Sequence, residues 1–293
     1  MAARALMVMG TASDVGKSVV VTGLCRLFAR SGVQVAPFKS QNMSNNAAVC
    51  PGGGEIGRAQ AVQAEACGIE HTVDMNPVLL KPESEDGCQV VIAGRPRFRM
   101  AARDYSHYCQ QAWPEIVASY SRLAKQFQVV IIEGAGGAAE VNLRDRDVVN
   151  WRVAELADAP VLIVADIEKG GALAALVGTV SLLSSAERNR VKGLIINKFR
   201  GDLGYFTDGI QIIEDRTGIP VLGILPYMEN LEIPQEDSAS LKVGIELRGA
   251  RPINVSVVRF PRISNYTDLR RLRASLTLSF NMSISPHSPK PWI

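Results

Sequence analysis

Ala5-Leu-Met-Val-Met9 runs straight into Gly10-Thr-Ala-Ser-Asp-Val-Gly-Lys-Ser18, and this junction decides the fold. A short unbroken apolar run is the pattern of a strand covered on both faces, as in a parallel sheet between helices. Gly-Lys-Ser at the start of a helix aims backbone N–H groups and the positive end of the helix dipole at one point, so an anion belongs there. Gly10 and Gly16 permit the close backbone approach that a Cβ would block, and Thr11, Asp14 and Val15 between them are nucleotide-binding positions of the same loop. Lys17 can bridge β- and γ-phosphates, and Ser18 can ligate Mg²⁺. Five residues separate Gly10 from Gly16, one more than the common phosphate-loop pattern allows.

Outward from the loop, short β-branched runs alternate with helical apolar spacing. Strands are expected at 34–38, 129–132, 161–165, 194–196 and 221–225, and helices at 17–31, 171–183 and 207–217, with Gly32 and Gly218 as C-terminal caps. Such a βαβ series predicts an α/β fold, a doubly wound and mostly parallel sheet of the P-loop NTPase type, over a domain spanning 1–237. Residues 39–110 interrupt the series with Asn-, Ser- and Gly-rich loops, a helix expected at 56–67 and short strands at 78–80 and 89–93. An insertion after the second strand lies near the carboxyl ends of the strands, where ligands bind in this architecture, so 39–110 is the candidate substrate-binding region. Within 238–268, residues 253–258 read as one more strand. The stretch 269–293 has no acidic residue and a Ser- and Pro-rich ending, and is expected to be disordered.

Composition narrows the function classes. A net charge of +3 from 32 basic and 29 acidic side chains gives no basic face from which to expect nucleic acid. The N-terminal apolar run is too short to span a bilayer and meets a glycine loop instead of a cleavage site, so no membrane partner is expected. Cys25, Cys50, Cys67, Cys88 and Cys109 show no C-x-x-C spacing, which argues against a disulfide framework or zinc site and fits a reducing cytoplasm. His71, His107 and His287 lack a second ligand at metal spacing and read as structural or surface residues.

Other residues carry chemistry. In Val130-Ile-Ile-Glu-Gly-Ala-Gly-Gly137 a strand ends in Glu133, which can ligate Mg²⁺ beside the loop or stand solvated at a strand tip. Asn197 closes another apolar strand and can read the N6 and N7 edge of adenine, or cap a turn. Lys39 and Arg58 are cations that suit an anionic transition state or an acidic substrate, with a surface ion pair as the alternative. Asp145, Asp147 and Asp166 are further carboxylates for metal or substrate positioning. The expected catalytic set is Lys17, Lys39, Glu133 and Asp147, the expected metal ligands are Ser18 and Glu133, and the expected cofactors are ATP and Mg²⁺.

The extended loop resembles that of the dethiobiotin synthetase-like ATPases, in which the additional residue is normal. Within that group, Pro37-Phe-Lys-Ser-Gln-Asn-Met-Ser-Asn-Asn46, Gly54-Glu-Ile-Gly-Arg-Ala-Gln60, Met75-Asn-Pro-Val-Leu-Leu-Lys-Pro82 and Val164-Ala-Asp-Ile-Glu-Lys-Gly-Gly171 are similar, in the same order, to blocks in the synthetase half of the cobyric acid synthase family. The likeness runs from near the start to Asp268. It implies an ATP-dependent carbon–nitrogen ligase of cobalamin biosynthesis. Carboxylates of a corrinoid, adenosylcobyrinic acid a,c-diamide, would become the amides of adenosylcobyric acid through acyl phosphates, with ammonia drawn from glutamine. Family members continue into a glutaminase domain whose nucleophilic Cys sits in a glycine-flanked turn. None of the five cysteines here has that setting, so the chain is expected not to hydrolyse glutamine. Residues 238–268 are then a linker and the first strand of the missing domain, and 269–293 an atypical end from truncation or a frame change. Self-association as a homodimer stays open. Two readings compete: dethiobiotin synthetase-like carboxylation, whose small diamine substrate needs no 41–46 and 52–58 blocks, and a nucleotide-switch ATPase of the partition type, whose signature lysine position holds Ala12 here.

Overall fold

A computed structural model describes residues 3–83, 87–229, 253–259, 265 and 278–284. In chain order, β1 (Arg4–Gly10), α1 (Lys17–Arg30) and β2 (Val35–Phe38) form the first βαβ unit. The insertion follows with β3 (Gln41–Met43), β4 (Ala47–Val49), β5 (Glu55–Gly57), α2 (Arg58–Cys67), β6 (Val78–Pro82), β7 (Gly87–Ile92) and β8 (Arg95–Ala101). The main series resumes with α3 (Tyr105–Gln126), β9 (Val129–Glu133), α4 (Trp151–Leu156), β10 (Val161–Asp166), α5 (Ala172–Leu182), α6 (Ser185–Arg190), β11 (Val191–Phe199), α7 (Thr207–Thr217) and β12 (Val221–Pro226). Two strands close the described chain, β13 (Ile253–Arg259) and β14 (Leu278–Ile284).

The main sheet runs β12-β11-β10-β1-β9-β2, and every pairing in it is parallel. Alternation of side chains explains why the strand sequences are apolar throughout. Met7 and Met9 face one core with Phe38, Ile132 and Ile163, while Val8 faces the other with Val20, Val21 and Ile131. Each strand therefore feeds two cores, one per layer of helices. With β1 between β9 and β10, the glycine loop leaves the middle of the sheet where the strand order reverses, which opens a crevice at the carboxyl ends.

All six expected strands of this sheet are present, and so are the helices after β1, β10 and β11. The largest omission is α3, 22 residues with Pro114 inside it. Its buried side, including Tyr108, Ala112, Ile116 and Leu123, joins the main core, so the helix crosses the expected insertion boundary at 110. Inside the insertion, β3-β6-β7-β8 make a second sheet, and β4 with β5 a small antiparallel pair.

Within 269–293, where disorder is expected, Leu278–Ile284 is a strand that pairs in parallel with Ile253–Arg259, and the rest of that stretch lies outside the described residues. Leu-Ser-Phe-Asn-Met-Ser-Ile alternates apolar and polar residues with period two, a strand signal masked by the Ser- and Pro-rich composition around it. The expected boundaries at 237 and 268, the rest of the 238–268 linker apart from β13 and Asn265, and His287 lie outside the described residues. Asn265 touches the insertion: its Oδ1 accepts from Ala47 N–H at 2.9 Å and its own N–H donates to the Asn45 carbonyl at 3.3 Å.

Candidate active site

The loop from β1 to α1 is shaped by two glycines for different reasons. Gly16 has φ 99°, in the left-handed region, and a Cβ there would run into Nδ2 of Asn197. At Gly10 a Cβ would lie 2.6 Å from Val15 Cγ2 and 2.9 Å from the Ala12 carbonyl oxygen. The loop is also gripped from outside. Asn197 Nδ2 donates to the Val15 carbonyl at 2.9 Å, and Lys198 Nζ donates to the Asp14 carbonyl at 3.0 Å and pairs with Asp166 at 2.6 Å. Thr11 N–H donates to the Val164 carbonyl, which continues the sheet into the loop. Lys17 folds back over it, with Nζ 2.9 Å from the carbonyls of both Ala12 and Gly136.

Glu133, at the tip of β9, is 1% exposed, which excludes the solvated strand-end alternative. Its Oε1 accepts from Ser18 Oγ at 3.0 Å and from Lys39 Nζ at 2.8 Å, and its Oε2 accepts from Gln63 Nε2 at 2.5 Å. Burial pushes this carboxyl up most strongly. The Lys39 charge and hydrogen bond, the Gln63 hydrogen bond and the Lys17 charge together outweigh it, so its pKa lies below the usual carboxylate value and the group is ionised. Lys39 is 3% exposed, so it makes a buried ion pair and not a surface one. Lys39 sits where it does because its backbone is fixed on both sides: its N–H donates to the Met75 carbonyl at 2.9 Å, and its carbonyl accepts from Asn76 Nδ2 at 2.9 Å.

A cavity of about 1020 Å³ opens over this cluster. Lys17, Ser18, Lys39, Glu133, Asp147 and Asn197 all line it, and so do Asp14 and Gly16. Its outer walls are more apolar, with Met43 and Pro82 from the insertion, Val141 and Leu143 from a 3₁₀ turn, and Tyr227 after β12. Asp147 lines the cavity with its oxygens engaged by backbone: Oδ1 accepts from the N–H groups of Val149 and Asn150 at 2.8 Å, and Oδ2 from Arg152 N–H at 3.2 Å. That is the arrangement of a turn-forming residue ahead of α4. Asp145 is exposed on the 3₁₀ turn, Asp166 serves Lys198, and Arg58 opens α2. His71 hydrogen-bonds the Val49 carbonyl and His107 is exposed beside Gln111.

Sequence reasoning missed Gln63, Lys198 and Asn150. The signal for Gln63 was available, since Gln60 and Gln63 occupy the same helical stripe as Ala64 and Cys67, where an apolar residue is expected. Asn150 ties the glycine turn after β9, donating to the carbonyls of Ala135 and Gly137. Ser18 Oγ and Glu133 Oε1 form a pair of hard oxygen donors suited to Mg²⁺, which binds through one or two protein oxygens with phosphate and water completing its shell. Among the described residues no group of three or more His, Cys, Asp or Glu is placed to hold a metal by itself.

A left-handed glycine loop between a central parallel strand and a helix, a lysine folded across it and a buried strand-tip carboxylate define an α/β P-loop nucleotide-binding protein. Residues 4–235 match the family described as AAA domain, and the chain belongs to that family. It is 52% identical over 270 residues to a cobyric acid synthase of Dehalococcoides mccartyi (strain ATCC BAA-2266 / KCTC 15142 / 195), covering 92% of this chain and 53% of that protein. Identity to the cobyric acid synthase of Sorangium cellulosum is 53% over 274 residues (93% and 53%), and to that of Vibrio parahaemolyticus 50% over 277 residues (94% and 57%). The resemblance read from the loop and the four blocks is therefore to true homologues, and the chain spans about half the length of the curated relatives it matches. Among solved structures, the signal recognition particle receptor FtsY from Elizabethkingia anophelis aligns with a TM-score of 0.43 at 18% identity, over 76% of this chain and 57% of that one.

Proposed function

We propose that this chain is the ATP-dependent synthetase portion of a cobyric acid synthase, converting corrinoid side-chain carboxylates to amides. The observation that carries the reading is the convergence of Lys17, Ser18, Lys39 and Glu133 on one face of the phosphate loop, in a chain about half identical to cobyric acid synthases.

The chemistry follows from the substrate class. A carboxylate has no leaving group that ammonia can displace. One of its oxygens therefore attacks the γ-phosphorus of ATP, the bond to the β,γ-bridging oxygen breaks, and ADP departs with that electron pair. Ammonia then attacks the acyl carbon of the acyl phosphate, inorganic phosphate leaves with the C–O electrons, and the nitrogen loses a proton. Neither step requires a protein nucleophile, so the chain's task is positioning and charge. The loop N–H groups and Lys17 hold the β- and γ-phosphates, and Lys39 supplies positive charge on the insertion side, where the acidic substrate arrives. Asn197 keeps one amide hydrogen on the Val15 carbonyl and offers its remaining amide edge to adenine. Mg²⁺, held by Ser18 and Glu133, would neutralise phosphate charge. Asp147 acts through the turn it holds.

Ammonia comes from a glutaminase activity that the described residues do not supply. Cys25, Cys50 and Cys109 are buried, and Cys88 is half-buried. Burial pushes the Cys50 thiol up to about 11 and raises Cys88 and Cys109. A hydrogen bond from the Cys25 thiol to Cys67, then burial, raises Cys25. Such thiols are poor nucleophiles, and their free state suits a reducing cytoplasm. No helix among the described residues is long and apolar enough to cross a membrane.

The test supplies the purified chain with ATP, Mg²⁺, ammonium and a panel of corrinoid acids, following ADP release and the mass change of each acid-to-amide conversion. Corrinoid-dependent ADP with matching amide supports the reading. ADP release with diaminopelargonate but no corrinoid would move it to dethiobiotin synthesis, and slow turnover indifferent to any substrate would move it to a nucleotide switch.

A further inference from the structure

Gln63 is the member of the Glu133 cluster that no motif assigns. It stands on the face of α2 turned toward α1 and β2, is 0% exposed, and donates Nε2 to Glu133 Oε2. A carboxylate only accepts hydrogen bonds, so this contact fixes which way the amide points. The carbonyl end is then turned away, and Oε1 of Gln63 is buried with no hydrogen-bond partner among the described residues. A core position has no use for an orphaned carbonyl. Leucine or methionine would fill the same volume without one; Ala59, Ala64 and Cys67 on this stripe are apolar, and its other polar member, Gln60, accepts from Asn42 Nδ2 at 3.1 Å. The glutamine is therefore explained by its N–H end and not by packing.

What that end does is set by the division of labour on Glu133. Ser18 and Lys39 both converge on Oε1, the oxygen that faces the phosphate loop, while Gln63 holds Oε2. A carboxylate held at one oxygen cannot rotate about its Cγ–Cδ bond, so the other oxygen stays aimed at the loop. A partner that orients a metal-ligating group in this way sets metal affinity without touching the metal.

We propose that Gln63 is a positioning residue for the metal–nucleotide centre, its amide N–H locking the Glu133 carboxylate so that Oε1 faces Ser18 and the cation-binding side of the loop. This rests on the reading that the cavity binds ATP with Mg²⁺. The experiment measures binding of a fluorescent ATP analogue to the wild type, Gln63→Met and Gln63→Leu, first with chelator present and then across a Mg²⁺ titration. Both variants are expected to fold, with the lost hydrogen bond to Glu133 offset in part by removal of the orphaned Oε1, and to keep metal-free nucleotide affinity within about twofold. The Mg²⁺ concentration giving half-maximal enhancement should rise by about tenfold or more, the usual effect of removing such a partner. An unchanged Mg²⁺ midpoint in both variants overturns the proposal. So does equal loss of nucleotide binding with and without metal, or failure of both variants to fold, since each assigns Gln63 to structure. If the wild type binds nucleotide with no response to Mg²⁺, the metal reading of the site falls, a result separate from any difference between variants.

Discussion

Lys39→Met is the substitution whose outcome the geometry constrains most tightly. Methionine matches the lysine stem in length and keeps the packing, but removes the charge 2.8 Å from a carboxylate that is 1% exposed. In the wild type the folded pKa of Glu133 lies below its unfolded value, about 4.3 for a free glutamate. The stability it contributes is thus present above that pH and is lost as pH falls through the folded value. Without Lys39 the leading favourable influence is gone and burial prevails, so the folded value moves above the unfolded one. The carboxyl then opposes folding increasingly as pH climbs from about 4.3. Removing one partner of a buried pair costs about 3–5 kcal/mol. Ser18, Gln63 and the Lys17 charge remain, which places the loss at about 3 kcal/mol at pH 8. At ~2–4 °C per kcal/mol for a domain of about this size, the nucleotide-free variant should melt ~6–12 °C below wild type. The gap should narrow at pH 5, and Lys39→Met combined with Glu133→Gln should recover most of it, because the buried carboxylate charge is then removed together with its lysine partner. The assay is thermal unfolding of the three proteins at both pH values. Coincident melting of wild type and Lys39→Met at pH 8, or a double variant no more stable than the single, would refute the reasoning.

Gly16→Ala must adopt a left-handed φ and push Asn197 aside; titration with a fluorescent ATP analogue should show affinity reduced by about tenfold or more, and wild-type affinity would mean the loop is remade on binding. Asn197→Ala releases the Val15 carbonyl, worth about 0.5–1.5 kcal/mol. Nucleotide should bind roughly three- to tenfold more weakly with an unchanged circular dichroism spectrum, and full retention would show the loop stands without that tether. Asp147→Ala removes the acceptor for three backbone N–H groups. It should cost about 1 kcal/mol of stability while ATP affinity stays at wild type; turnover lost without any change in melting would give Asp147 a chemical role instead.

Parts of the molecule were legible because local chemistry and global position agree there. The inner strands of the main sheet, β1, β9 and β10, are buried on both faces over most of their length, so they read as nearly continuous apolar runs that end in Gly10, Glu133 and Asp166. Gly32 after α1 and Gly218 after α7 both have positive φ, as their placement as C-terminal caps predicts. The helix α3 was hidden by Pro114 and by Tyr, His, Cys and Gln in its first turns, because its stability comes from packing Ile116, Tyr120 and Leu123 on the sheet. In the site, residue type was readable and commitment was not. Lys39 and Glu133 were singled out separately, one from each side of a 94-residue gap, and nothing in spacing could show that they neutralise each other. For Asp147 the reverse holds, since its residue type suits metal or substrate positioning while its neighbours' backbone takes both oxygens.

The three insertion blocks that carry the family likeness have a physical reason to occur together. Lys39 belongs to the first, Gly57 to the second and Asn76 to the third, and they meet at one buried point. Asn76 donates to the carbonyls of Lys39 and Val78, and its Oδ1 accepts from Gly57 N–H at 2.9 Å. Gly57 has room for no Cβ, which would lie 2.7 Å from Gln60 Oε1 and 3.2 Å from Asn76 Oδ1. An apolar layer could fill this volume but could not fix the backbone that presents Lys39, because buried carbonyls and N–H groups need directional partners. The insertion is thus polar at the point that presents Lys39, while Met75, Val78 and Leu80 beside it join the main core and Leu79 and Val91 pack with Ala47. Its charge is delivered to the phosphate loop by a chain of side-chain-to-backbone hydrogen bonds. A substitution at Asn76 should therefore act on the site through Lys39, although its side chain does not line the cavity.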